Sequence, residues 1–168
     1  TQLREEPLAV DEGQRWALAG PASFLSGPPG FAVDSLVLRG EGEATLRLAG
    51  AVPMEGESNL RFRARGVPLE DLAELLQSPG KQEGTVAIDA SLVGTRAEPV
   101  LEVAGTLTSG LVSGIRLDTL VLTASGTADA LRVAGTLGPP GRPVMIAEAT
   151  LPFRLRFDET GCDDVAVA

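Results

Sequence analysis

The sequence predicts an all-β protein: an elongated, curved antiparallel sheet built from two tandem repeats, with one short α-helix. Three observations carry this expectation. Apolar and polar residues alternate at period two through most of the chain, which is the signature of half-buried strands. The connections are short and glycine-rich, with 20 Gly and 12 Pro among 168 residues. The second half also echoes the first at a nearly constant spacing.

The echo is read directly from the chain. WALAG at 16–20 matches LEVAG at 101–105, a shift of 101 − 16 = 85. VDSLVL at 33–38 matches LDTLVL at 117–122, a shift of 117 − 33 = 84. LRLAGAVP at 46–53 matches LRVAGTLG at 131–138, a shift of 131 − 46 = 85. The expected units are 1–84 and 85–168, one continuous segment in which each unit buries its neighbour's open edge.

Within the first unit, Leu46 and Leu48 oppose Thr45 and Arg47, and Leu60, Phe62 and Ala64 oppose Asn59, Arg61, Arg63 and Arg65. A helix is expected over 68–77. Leu69, Leu72, Leu75 and Leu76 share one helical face, Pro68 sits near the first helical position, and Ser78-Pro79-Gly80 stops it. It is read as a cap on the apolar face, with a gate over a lipid path as the alternative. In the second unit Val86, Ile88, Ala90 and Leu92 oppose Thr85, Ala87, Asp89 and Ser91. Leu101, Val103, Gly105 and Leu107 oppose Glu102, Ala104, Thr106 and Thr108, and Leu151, Phe153, Leu155 and Phe157 oppose Pro152, Arg154, Arg156 and Asp158. The turns GEGE, GTRAEP and GTAD join about nine or ten strands into an antiparallel meander. Strands of nine residues would be about 30 Å long.

Composition excludes several functions. A net charge of −9 opposes a nucleic-acid partner and gives no support for docking on an anionic membrane. Hydrophobic residues make up 43% but aromatics only 4%, so the apolar mass is Val, Leu and Ala. Histidine is absent, which removes the commonest general base and metal ligand. No nucleophile elbow, phosphate loop or dinucleotide fingerprint occurs. Cys162 has no partner for a disulfide, and Asp163 and Asp164 beside it would raise its pKa, so it is read as an inert thiol. No enzyme activity, metal or cofactor is expected. The acidic stretch Asp158, Glu159, Asp163 and Asp164 is read as solvated, with calcium as the alternative. Arg61, Arg63 and Arg65 are read as the wet face of their strand, with contact to phosphate head groups as the alternative. Trp16 is read as a packing anchor. The chain opens on Thr, and it is expected to be part of a longer protein.

GTVAIDASLVGTRAEPVLEVAGTLTSG at 84–110 resembles the recurring G-x-l-x-l-x-l-x-G-T-x-x-x-P-x-l-x-G-x-l pattern of the TamB family, AsmA-like bacterial envelope proteins related in build to bridge-like lipid-transfer proteins. FAVDSLVLRGEGEATLRLAGAVP and LRFRARGVPLEDLAELL resemble the stretch that precedes it. The resemblance implies a sheet curved like a folded taco with a greasy inner face, an inner-membrane anchor outside this segment, and a periplasmic location. It implies phospholipid transport towards the outer membrane, and an outer-membrane barrel partner of the TamA or BamA type. No catalytic residue comes with it. The expected lipid-groove residues are Leu46, Leu48, Leu60, Phe62, Val86, Ile88, Leu92, Leu101, Val103, Leu107, Leu131, Val133, Phe153 and Leu155. Two other readings stay open: a chaperone module that recruits a client strand by β-augmentation, and a structural spacer with a filled interior. Open sheet edges are expected to allow edge-to-edge self-association.

Overall fold

The computed structural model describes residues 16–71, 82–112, 115–127, 129–139 and 142–152. Among the described residues, ten strands form one open, curved sheet. They are β1 (Ala17–Leu18), β2 (Phe24–Gly27), β3 (Gly30–Arg39), β4 (Thr45–Pro53), β5 (Ser58–Pro68), β6 (Gln82–Gly94), β7 (Pro99–Val112), β8 (Ile115–Gly126), β9 (Ala130–Leu137) and β10 (Met145–Pro152). From β3 to β10 the spatial order is the chain order and every pairing is antiparallel, so the core of the fold is a meander. β1 and β2 both pair with β3, one after the other along its length.

The central strands are longer than the sequence pattern suggests. β6 has 13 residues and β7 has 14, which makes each about 45 Å long. The expected helix begins one residue later than 68. Pro68 still pairs with Thr85 at the end of β5, and helical residues begin at Leu69 and run to Asp71. Residues 72–81 lie outside the described residues, as do Phe153, Leu155, Phe157, Cys162 and the acidic stretch from Asp158.

The two halves correspond in strand order but not in register. Shifting Ala17–Gly27 by 85 gives 102–112, which lies within β7, so β1 and β2 together stand where one unbroken strand stands in the second half. Register differs, however. Leu38 pairs with Leu46, whereas their counterparts Leu122 and Leu131 pair with Gly135 and Gly126. The boundary at 84/85 falls inside β6, at a bulge where Gly84 adopts φ +131°.

Bulges keep the apolar residues on one side. In β3 the apolar positions change from odd, at Phe31 and Val33, to even, at Leu36 and Leu38. The register shifts between Val33 and Leu36, and one extra residue restores the face. β5 does the same: Leu60, Phe62 and Ala64 are followed by Val67, with the shift between Ala64 and Val67 and Gly66 at φ +61°. Without these insertions a period of two would turn every later side chain to the other face.

Burial is confined to a few residues, nearly all of them apolar, with Ser58 at 5% exposure the polar one. Val33, Ala44, Ala64, Val67, Val86 and Leu107 form the described core, with Ala64 and Val67 at 0% exposure. Trp16 anchors one edge. Its indole Nε1 donates to Asp71 Oδ2 at 3.0 Å, and its six-membered ring lies against the β3–β4 turn at Gly40.

Gly50 offers a test. It has φ +118°, and a Cβ there would overlap the Asn59 carbonyl oxygen on β5. Gly42 also has a positive φ, +65°, but a Cβ there would meet nothing within 4 Å. Gly50→Ala is expected to cost about 2–3 kcal/mol and Gly42→Ala about 1 kcal/mol in urea unfolding. Equal costs would mean that close strand approach at Gly50 is not what requires glycine.

Candidate functional site

The pairing places the expected groove residues on one face. Leu48, Phe62, Ala90, Val103, Ala124, Val133 and Ala149 lie side by side across seven consecutive strands. On one side of that row run Leu60, Leu92, Leu101, Gly126, Leu131 and Leu151. On the other run Leu46, Ala64, Ile88, Gly105, Leu122, Gly135 and Ala147. Beyond that lie Val67, Val86, Leu107, Leu120, Leu137 and Met145. Every expected groove residue within the described part of the chain is on this face. Leu36 and Leu38 of β3, which the sequence reading did not assign to the groove, extend it by one strand.

This aliphatic face is a layer rather than a filled core. Val86 and Leu107 are buried, but Leu46, Leu48, Leu60, Phe62, Ile88, Leu92, Leu101, Val103, Leu131 and Val133 are only half-buried. Exposure rises towards β8 and β10, where Leu122 is 44% and Met145 55% exposed. Part of the cover is made by the leucines themselves, which lie over glycines of neighbouring strands. A Cβ at Gly135 would come 3.0 Å from Leu122 Cδ2, and one at Gly126 would come 3.1 Å from Leu131 Cδ1.

The opposite face is polar and carries its own depression, of about 890 Å³, spanning β4 to β9. Two rows of side chains line it, together with Val93. Arg47, Arg63, Asp89, Ala104, Thr123 and Ala134 form one; Ala49, Arg61, Ser91, Glu102, Ser125 and Arg132 form the other. Phe62, Ala90, Val103 and Ala124 sit between these rows with side chains on the aliphatic face, so their main chain forms the floor. The depression therefore opens on the side away from the expected groove, and of the groove residues only Phe62 and Val103 border it.

The arginines expected as a simple wet face are partly organised. Arg63 Nε donates to Asp89 Oδ1 at 2.7 Å, and Arg65 Nη2 donates to Asp89 Oδ2. Both guanidiniums, Arg65 first, hold the Asp89 carboxyl below its ordinary value. The alternation of β6 shows Asp89 on the polar side, but only the β5–β6 register brings it against Arg63. No group of three or more Asp, Glu, Cys or His side chains is arranged to hold a metal among the described residues.

No protein-family model, curated protein or solved structure matches this chain.

Asp89 gives a pH test with a definite sign. Because its folded pKa is depressed, its contribution to stability is present above the unfolded value of 3.8 and is lost as pH falls through the lower folded value. Asp89→Asn is thus expected to lower the thermal midpoint slightly at neutral pH. The difference from the parent protein should vanish in strong acid. A deficit that persists in strong acid would show that the two ion pairs are not its source.

Proposed function

We infer that this chain is a hydrophobic β-groove segment of a TamB-like envelope protein. Its aliphatic face shields phospholipid acyl chains that move between the inner and outer membranes, in support of outer-membrane biogenesis. The observation that carries the reading is the aliphatic face itself: rows of Leu, Val, Ile and Ala, joined by Phe62, Met145 and glycines at 105, 126 and 135, run from β4 or β5 to β10, two of them extend to β3, and most of those side chains are half-exposed. A sheet with one oily face requires a second layer. Acyl chains suit that role because they ask only for exclusion from water, gaining about 0.8 kcal/mol for each methylene buried. No fixed polar group or catalytic residue is needed. On this reading the segment works in the periplasm within a longer protein anchored to the inner membrane, with an outer-membrane barrel of the TamA or BamA type as partner.

A second reading has its own support. β10 pairs only with β9 among the described residues, and all its side chains are exposed, Ile146 at 64% and Leu151 at 41%. An open edge of this kind recruits a further strand, so β-augmentation of an outer-membrane client, or edge-to-edge self-association, is the alternative.

A photo-crosslinking side chain separates the two. Placed at Val103 or Ile88, it is expected to capture phospholipid from vesicles of phosphatidylethanolamine and phosphatidylglycerol, while at Glu102 on the opposite face it should capture none. Equal yields at Val103 and Glu102 would overturn the groove reading. Capture of peptide but not lipid would favour augmentation.

A further inference from the structure

The polar depression holds more positive charge than its surroundings explain. Its lining contains Arg47, Arg61, Arg63 and Arg132 against Asp89 and Glu102, a balance of 4 − 2 = +2, in a chain whose net charge is −9. Arg47 is paired directly with Arg63 across β4 and β5, a like-charge arrangement that destabilises a sheet. Arg61 stands two residues from Arg63 on the same face, opposite Ala49. Its diagonal separation from Arg47 is therefore about 7–8 Å. Asp89 is already shared between Arg63 and Arg65. Among the described residues, Arg47, Arg61 and Arg132 make no ion pair.

We propose that this depression binds a small phosphate-bearing sugar or polyol, with the phosphate held by Arg47 and Arg61 and the hydroxyls met by Ser91, Glu102, Thr123 and Ser125. Guanidinium groups present a rigid fork of donors that matches a phosphate, and two of them around one anion remove the repulsion between them. Beyond the arginines, the lining supplies hydroxyls at Ser91, Thr123 and Ser125 and an acceptor at Glu102 in the middle of its row, set among alanines and Val93. Those four side chains offer hydrogen-bond partners to the hydroxyl groups of a polyol.

Shape and charge narrow the ligand further. A volume of about 890 Å³ is within the range of small-molecule sites. A concave surface does not lie flat on a bilayer, and the strongly acidic chain repels a long polyanion such as nucleic acid. The aromatic ring of Phe62 is on the other face, so the lining presents no stacking platform for a nucleobase. This site is separate from the aliphatic face, and its success or failure leaves the lipid reading unchanged.

Isothermal titration calorimetry at fixed ionic strength tests the proposal with glucose 6-phosphate, inorganic phosphate and glucose as probes. Glucose 6-phosphate is expected to bind, inorganic phosphate to bind more weakly, and glucose to give no detectable heat. R47A/R61A should weaken glucose 6-phosphate binding by about tenfold or more, while R39A/R116A, outside the depression, should leave it unchanged. If circular dichroism shows that R47A/R61A has lost strand structure, R61A alone replaces it, with a several-fold loss expected. Absence of glucose 6-phosphate binding, or an equal loss in R39A/R116A, would overturn the site. Equal affinity for phosphate and glucose 6-phosphate would overturn the assignment of the hydroxyl-binding residues.

Discussion

A single sheet cannot bury its own oily face. Strand alternation sends most of the Leu and Ile side chains to one side of this molecule and Arg, Asp, Ser and Thr, among alanines, to the other. The described residues provide little to lay over the first. Much of the structure follows from managing that imbalance. The β-bulges in β3 and β5 keep Val67, Leu36 and Leu38 on the apolar side. Glycines at 126 and 135 give the side chains of Leu131 and Leu122 room to lie over the neighbouring strand. Full burial is reached around Val67, Val86 and Leu107, whose rungs adjoin one another across β5 to β7.

The same alternation gives the polar face its character. A meander brings residues from six strands, β4 to β9, into two adjacent rows, so charges far apart in sequence become neighbours. Arg63 and Arg65 find Asp89, while Arg47 and Arg61 remain as a pair of like charges over a concave floor. The two faces thus offer different chemistry. One excludes water over a large area without choosing a ligand's shape, and the other places a few charged and hydroxyl groups around a bounded space.

Fold class was legible in the chain because period two is a direct consequence of strand geometry. The aliphatic rows were legible for the same reason: Leu60 and Phe62, Val86 and Ile88, and Leu101 and Val103 could be assigned to one side before any pairing was known. Register was not. The repeat aligns Leu46 with Leu131, yet one pairs with Leu38 and the other with Gly126, because the β8–β9 hairpin turns at a different point from its counterpart. Bulges escaped notice because a skipped alternation, as at Arg65-Gly66, looks like the end of a strand, and here β5 continues to Pro68. The helix starts one residue later than expected for the same reason, since Pro68 belongs to the strand that the bulge prolongs. The polar depression was invisible because curvature is a property of the whole sheet, and alternation says which side a residue faces but not which way that side bends.

Native mass spectrometry of the protein purified from a bacterial envelope tests the central claim most directly. If the aliphatic face is covered by acyl chains, a population should carry added mass equal to one or more phospholipids, released on mild collisional activation. Substituting Val103 and Ile88 with Asp should abolish it. A protein that is lipid-free under the gentlest conditions, and that stays so after incubation with phospholipid vesicles, would contradict the account.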